Sequence, residues 1–444
     1  MKTLVVCCDG TWKRADDVDV SNIEKIARAV APTGHDGPQI VYYRAGVGTG
    51  GGKIERIVGG AFGIGLDTAI VDAYRFLALN YEPGDKVYIF GFSRGAYTAR
   101  SLVGMMGRIG LLTPDGVAAG KLPKALTLYR ERPRPKIGFV PAYAGSPGWE
   151  QDSEAFTRFC HLAVPIAFLG VFDTVGALGA PGPTRRRYRF HDVRLSDQVL
   201  VARQALAIAE RRRAFAPCLW AVPDIKGGQG PASRDVVQMW FDGVHSDVGG
   251  GYENCALGDR SLAWMVTEAA KNNGLVFDMN RIVPQRCTRD EQAHDSLTIF
   301  YRIGNLFSRC GSMLGKQRLG SDLLTRYRRG WRNFAPMVDP VDPAGPEDEA
   351  DRPVLDGRAS GVFVAEPAVE RMDGPARSWP VNPNMRAWFD EWADLGVEPT
   401  AVTVPVPTLG DIGAVGDPGA TDGSTGCEPD VAADDAGRAV PTAR

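Results

Sequence analysis

Residues 86–102 read KVYIFGFSRGAYTARSL. An apolar run leads into Gly91-Phe92-Ser93-Arg94-Gly95, and the stretch beyond it repeats apolar positions at Ala96, Ala99, Val103 and Met106, the spacing of one helix face. A strand, a sharp turn and a helix in this order lift a lone serine hydroxyl out of the turn, while glycines on either side let neighbouring backbone approach. G-x-S-x-G alone is weak, because in a chain with 53 glycines a pattern this short recurs by accident. The plainer alternative makes Ser93 the N-cap of the helix. What separates the two is a base and a carboxylate at later strand ends, since a serine hydroxyl is a poor nucleophile until a base takes its proton.

Only five histidines are available. His245 follows the apolar run VVQMWF in the glycine-rich segment WFDGVHSDVGGGY, placed at the carboxyl edge of a strand, where α/β architectures put their sites. His294 is the second choice. Asp173 closes the run IAFLGVF and emerges at a strand end in the same way, with Asp242 and Asp247 as substitutes beside the histidine. A lone aspartate after a strand is more often a turn residue, yet Ser93, Asp173 and His245 together follow the chain order of α/β-hydrolases. For the developing oxyanion, the N–H of Arg94 is one expected donor and the Asp9-Gly10-Thr11 turn after the first strand is the expected source of a second, from Gly10 or Thr11.

Around these residues the chain reads as α/β: an α/β-hydrolase-like, doubly wound, mostly parallel sheet with a helical C-terminal extension. Strands are expected at 4–8, 39–43, 86–92, 166–172, 217–222 and 236–241, several of them apolar throughout, as when both faces are covered. Helices are expected at SNIEKIARAV, where Ser21 and Glu24 have capping-box spacing, at LDTAIVDAYRFLAL, and at 95–108, 197–213 and 259–273. Residues 1–280 read as the catalytic domain and 281–400 as a mixed, mainly helical extension with helical pieces near 293–308 and 384–394. Residues 401–444, rich in Gly, Pro and Asp, read as a disordered acidic tail. There is no internal repeat.

With 51 basic and 53 acidic residues, a net charge of −2 gives no general attraction to nucleic acid, and any contact with a membrane surface would be local and transient. No apolar run reaches the length of a membrane span, and the N-terminus lacks the features of a secretory signal, so a cytoplasmic location is expected, with export by a signal-independent route left open. Eight cysteines without a CxxC pair fit reduced thiols better than a disulfide frame or a metal site, and no metal or cofactor is expected.

Two other motifs compete for a role. Gly46, Gly48 and Gly51 have G-x-G-x-x-G spacing in the loop 46–52, but the next helical pattern begins only near Leu66, which does not suit a dinucleotide site. Val47 and Ile54 occupy positions that a P-loop reserves for Gly and Ser or Thr. Arg185, Arg186 and Arg187 follow Asp173 and could meet a substrate phosphate, although a solvated basic loop is the commoner meaning of such a run.

CCDGTW, YYRAGVGTG, GFSRGAYTARSL, FLGVFDTVGALG, FHDVRLS with its following ARQALAIAERRRAF, and WFDGVHSDVGGGY occur in this order from residue 1 to about 280. Together they resemble the bacterial α/β-hydrolase domain family, formerly a domain of unknown function, typified by phospholipase effectors of type VI secretion. The resemblance implies hydrolysis of a carboxylic ester, in characterised members a phospholipid acyl ester, with Ser93, Asp173 and His245 at the triad positions and an ester or phospholipid as partner. It does not imply an effector, since the antibacterial members are longer and carry membrane-binding modules. The reading is therefore a serine esterase of lipase or phospholipase type. The alternatives are a catalytically silent binding module of the same fold and, less well supported, a nucleotide-binding protein using the loop 46–52.

Overall fold

The computed structural model describes residues 1–10, 20–46, 62–131, 148–175, 195–220, 235–282, 294–297, 327–328, 330–332, 361–373, 382–394 and 403–412. Nine strands form one sheet: β1 (Thr3–Cys8), β2 (Thr33–Gly34), β3 (Gly37–Arg44), β4 (Lys86–Phe92), β5 (Ile166–Phe172), β6 (Val199–Ala207), β7 (Asp235–Phe241), β8 (Gly361–Ala365) and β9 (Thr403–Val404). Their spatial order is β9-β8-β7-β6-β5-β4-β1-β3-β2, and every pair but β2–β3 is parallel. The fold is α/β.

Strand alternation builds two cores at once. Leu4, Val6 and Cys8 of β1 join Val87 and Ile89 of β4 under α2 (Phe62–Asn80) and α3 (Arg94–Ile109). Val5 and Cys7 turn the other way and meet Tyr88, Phe90 and Phe92 beneath α1 (Asn22–Ala29). On that second face also lies the long helix Ala256–Ala270, whose Leu262, Met265 and Val266 are fully buried. Helices on both faces make the sheet doubly wound.

The register places the site. Cys8 of β1 lies opposite Gly91 of β4, and Phe92 of β4 opposite Phe172 of β5, so neighbouring strands finish level with one another. Asp9, Ser93 and Asp173 are the next residues or nearly so along one carboxyl edge. Strand addition reverses direction between β1 and β4, the switch point where α/β sheets open a crevice.

Several expectations change. Residues 197–213, expected as a helix on their Ala, Leu, Gln and Arg content, contain β6, because a seat between β5 and β7 outweighs helix propensity. Arg203 there is buried and paired with Asp235 and Glu268. The expected strand 217–222 is not one among its described residues. Pro217 makes a single bridge to Val175, and Cys218 and Trp220 are held by the side chains of Gln204 and Gln238. The chain beyond 281 contributes β8 and β9 to the sheet, and Ile412, in the stretch expected to be disordered, is buried in the second core.

Within that region, Pro383–Asp394 is helical as its pattern indicates, 294–297 is not, and the rest of 293–308 lies outside the described residues. Leu206, Ile208 and Trp240 form a third apolar cluster with Val362, Val364, Met385 and Phe389, so this part packs directly on the sheet. Cys7, Cys8, Cys160 and Cys218 are free. Cys255 is in a disulfide, contrary to the expectation of reduced thiols.

The elbow depends on two glycines. A Cβ on Gly95 would sit 2.0 Å from the Cys8 carbonyl oxygen and 2.5 Å from that of Asp9, and one on Gly91 would sit 2.6 Å from the Gly95 oxygen. These are backbone atoms in a packed core and cannot swing aside. Gly95→Ala is therefore expected to destabilise the protein by about 1–3 kcal/mol, measured by chemical denaturation; an unchanged midpoint would show that β1 and α3 are not held so closely.

Candidate active site

Ser93 occupies the tip of the turn between β4 and α3 with φ 57° and ψ −117°, a conformation costly for a residue with a side chain. Its N–H donates to the Phe172 carbonyl at 3.0 Å, which ties the turn to the end of β5. Instead of capping the helix, the hydroxyl makes no hydrogen bond to the helix N-terminus. It points at an imidazole.

That imidazole belongs to His245, the first residue of the short helix His245–Gly249 that follows β7. Its Nε2 lies 2.8 Å from Ser93 Oγ and its Nδ1 2.5 Å from Asp173 Oδ2. An ionised carboxylate only accepts, so Nδ1–H donates to Asp173 and Nε2 is left as the acceptor for the serine hydroxyl. The structure thus brings together all three residues that the sequence singles out. The ring of Phe92 packs against the imidazole at 4.7 Å between centroids, and Phe215 meets it edge-on at 4.8 Å. Gly249 lies so close over Phe92 that a side chain there would overlap the ring, so the small residue sets the height of the helix that carries His245. Asn22, at the start of α1, fastens the far end of that helix by donating to Val248 O at 3.1 Å, and ties it to the helix Ala256–Ala270 by donating to Gly258 O at 2.8 Å.

Asp173 is fully buried, with φ 40°, and its N–H donates to Ala205 O at 2.7 Å. Its Oδ1 accepts from the Ala207 N–H at 3.1 Å. The remaining valence is filled by Arg332, whose Nη1 donates to Oδ1 at 2.6 Å and Nη2 to Oδ2 at 2.9 Å. Burial pushes the carboxyl pKa up, but Arg332 and His245 outweigh it and hold Asp173 well below the usual carboxylate range. His245 is held below its ordinary value, chiefly by burial, against the opposing pull of Asp173. Its neutral form is favoured.

Behind the histidine, Glu210 is buried and accepts from the His245 N–H at 3.2 Å while pairing with Arg212 at 2.7 Å. Burial raises its pKa, and Arg212 together with Arg332 brings it below the ordinary value. Neither Glu210 nor Arg332 is flagged by motif or spacing. Arg332 lies in GWRNF, in a region of weak periodicity, and only its flanking tryptophan hints at burial. The second-choice residues are engaged elsewhere: His294 Nδ1 lies 2.6 Å from Asp247 Oδ1 with Tyr252 stacked on the ring, and Asp242 pairs with Arg260 at 3.6 Å.

Arg94 opens α3, where the first N–H groups run along the axis toward the elbow. The Gly10 N–H, an expected oxyanion donor, instead donates to Asp9 Oδ1 at 2.6 Å, and Asp9 Oδ2 accepts from Ser21 and Tyr43. Thr11 and Arg185, Arg186 and Arg187 lie outside the described residues, as do Gly48 and Gly51. Gly46 lines a cleft beside the elbow with Asp9, Arg44, Leu66, Arg94 and Thr98. Among the described residues no three His, Cys, Asp or Glu side chains are grouped to hold a metal ion, and no helix is long and apolar enough to cross a membrane.

Because Asp173 is depressed, its contribution to stability is complete above the unfolded value of about 3.9 and is lost as pH falls toward the folded value. Asp173→Asn removes the buried carboxylate on which the Arg332 guanidinium forks and should cost about 3–5 kcal/mol near neutrality. In denaturation series the gap between wild type and variant should narrow below about pH 4; a gap independent of pH would mean that the buried carboxyl is not ionised.

Residues 2–268 match the family model described as T6SS, phospholipase effector Tle1-like, catalytic domain. The chain is 30% identical over 227 residues to the uncharacterized protein YEL023C of Saccharomyces cerevisiae, an alignment covering 48% of this chain and 32% of the yeast protein. Similar solved structures include an uncharacterized protein from Pseudomonas aeruginosa, at 19% identity with a TM-score of 0.39, covering 73% of this chain and 52% of that one. A second is the Tle1 effector bound to the VgrG spike from the type 6 secretion system, at 22% identity with a TM-score of 0.32, covering 56% of this chain and 51% of that one. The chain thus spans about a third of the yeast protein and about half of each solved chain.

Proposed function

Because this chain belongs to the T6SS phospholipase effector Tle1-like catalytic domain family, we propose that it is a serine hydrolase that cleaves carboxylic esters of lipids, phospholipid acyl esters foremost. The observation that carries the reading is the continuous hydrogen-bonded line from Ser93 through His245 to Asp173. A silent binding module has no need of a strained serine aimed at a buried neutral imidazole.

In the first step Nε2 of His245 takes the hydroxyl proton as Ser93 Oγ attacks the ester carbonyl. The charge that gathers on the carbonyl oxygen is met by the N–H of Arg94, and that on the imidazolium by Asp173. Collapse of the tetrahedral intermediate breaks the bond to the alcohol, which leaves with the proton from Nε2, and the acyl group stays on Ser93. Water, deprotonated by the same histidine, attacks the acyl carbonyl; collapse breaks the bond to Ser93 Oγ, which takes the proton back from Nε2 as the carboxylic acid leaves. Arg185, Arg186 and Arg187 are the proposed contacts for a substrate phosphate.

Ser93→Ala should lower hydrolysis of a phosphatidylcholine or a short acyl ester by at least about 10³-fold without unfolding the protein; turnover that survives in the folded variant refutes the nucleophile. Since His245 acts as a base and is held below its ordinary value, kcat/KM should rise with pH on an acid limb centred below about 6.5. A limb centred above that value would contradict the environment described for the imidazole.

A further inference from the structure

We propose that Arg332 is a positioning residue for the catalytic acid, so that the chain beyond the family match at residue 268 completes the active centre. The inference rests on the hydrolase reading and deepens it. Arg332 is fully buried and lies on the ribbon Trp331–Arg332, which pairs with Tyr327–Arg328. Its guanidinium forks onto both oxygens of Asp173, at 2.6 and 2.9 Å.

The same group ties together the pieces that surround the histidine. Nη1 also donates to Ala207 O at 2.8 Å, at the end of β6, and Nη2 donates to Phe215 O, on the turn whose ring meets His245 edge-on. One planar side chain thus fixes the carboxylate, the strand end beside it and an aromatic wall of the imidazole. A lysine carries the charge but not the fork.

Arg332 is in turn held from further along the chain. Its carbonyl oxygen accepts from Asn382 Nδ2 and Asn384 Nδ2, each at 3.0 Å, and Asn382 Nδ2 also donates to Ile208 O at 3.0 Å. Both asparagines are buried at the start of the helix Pro383–Asp394, which packs through Met385 and Phe389 onto β6, β7 and β8. A clasp therefore runs from the added strands through Asn382 and Asn384 to Arg332 and on to Asp173.

The fork has a functional cost and a functional gain. A guanidinium bound to Asp173 keeps that carboxylate ionised and oriented, and it shares the negative charge that would otherwise hold a proton on His245. Among the described residues, the charged groups around the pair are Arg332 from the ribbon and Glu210 with Arg212 from the segment after β6, while Asp247 on the histidine's own helix is engaged by His294. Removing Arg332 takes away the guanidinium that shares the Asp173 charge, so the carboxylate leans harder on His245. The imidazole then keeps its proton to a higher pH.

The experiment compares kcat/KM against pH for hydrolysis of a p-nitrophenyl acyl ester by the full chain, as wild type, Arg332→Met, Arg332→Lys and Asn382→Ala, with Ser93→Ala as the separate control for the nucleophile. For Arg332→Met the pH-independent value should fall about 100-fold, and the acid limb should move up by about one unit. Arg332→Lys should keep the limb near its wild-type position while remaining slower. Asn382→Ala, which touches neither the carboxylate nor the histidine, should reduce kcat with a smaller shift of the limb. An Arg332→Met enzyme with an unmoved acid limb, or Arg332→Met and Arg332→Lys limbs that coincide, overturns the positioning role and leaves Arg332 a purely structural residue. If Arg332→Met does not fold, the Arg332→Lys and Asn382→Ala profiles decide, and wild-type profiles in both refute the clasp. Should Ser93→Ala retain activity, the hydrolase reading itself fails, and that result is distinct from any outcome at Arg332.

Discussion

A carboxylate with no exposure to water must be neutralised where it stands, and Asp173 meets that requirement through Arg332, with the His245 Nδ1–H as a further hydrogen-bond donor. Taking an ion of this size out of water costs several kcal/mol even after relaxation, so its partners are obligatory. This single demand orders much of the molecule. It fixes the histidine tautomer, directs Nε2 toward Ser93, and draws a segment from far along the chain into the middle of the sheet edge.

The elbow supplies the complementary constraint. Ser93 holds a left-handed backbone because its N–H is fastened to Phe172 and because Gly91 and Gly95 allow β1, β4 and α3 to approach more closely than any side chain would permit. Strand register then does the rest, since β1, β4 and β5 end level and deliver Asp9, Ser93 and Asp173 to one rim. On the adjoining side, the short helix His245–Gly249 rests on the ring of Phe92, and Asn22 pins its end. Packing on both sheet faces sets these heights, so the site inherits its geometry from the core.

Much of this was legible in the sequence because it is local. The apolar runs at 86–92 and 166–172 carry their own boundaries, and G-x-S-x-G sits where a strand pattern gives way to a helical one. What could not be read depends on distant pairing. Residues 199–207 are rich in helix formers and become a strand only because β5 and β7 flank them; Arg203 and Gln204 are tolerated there by partners at Asp235, Glu268, Thr174 and Gln238. Arg332 gives no periodic signal, and nothing in its neighbourhood names a carboxylate 159 residues away. The strand Gly361–Ala365 is short and follows a long stretch of weak pattern, so its place beside β7 is set by the sheet it joins.

The central claim is that Ser93 is an activated nucleophile, and the most direct measurement is where a fluorophosphonate attaches. Folded protein treated near neutral pH and digested should yield one phosphonylated peptide, with mass-spectrometric fragmentation placing the adduct on the serine of GFSRG, and heat-denatured protein should yield none. An adduct on another residue, or an unlabelled folded chain, would contradict the account.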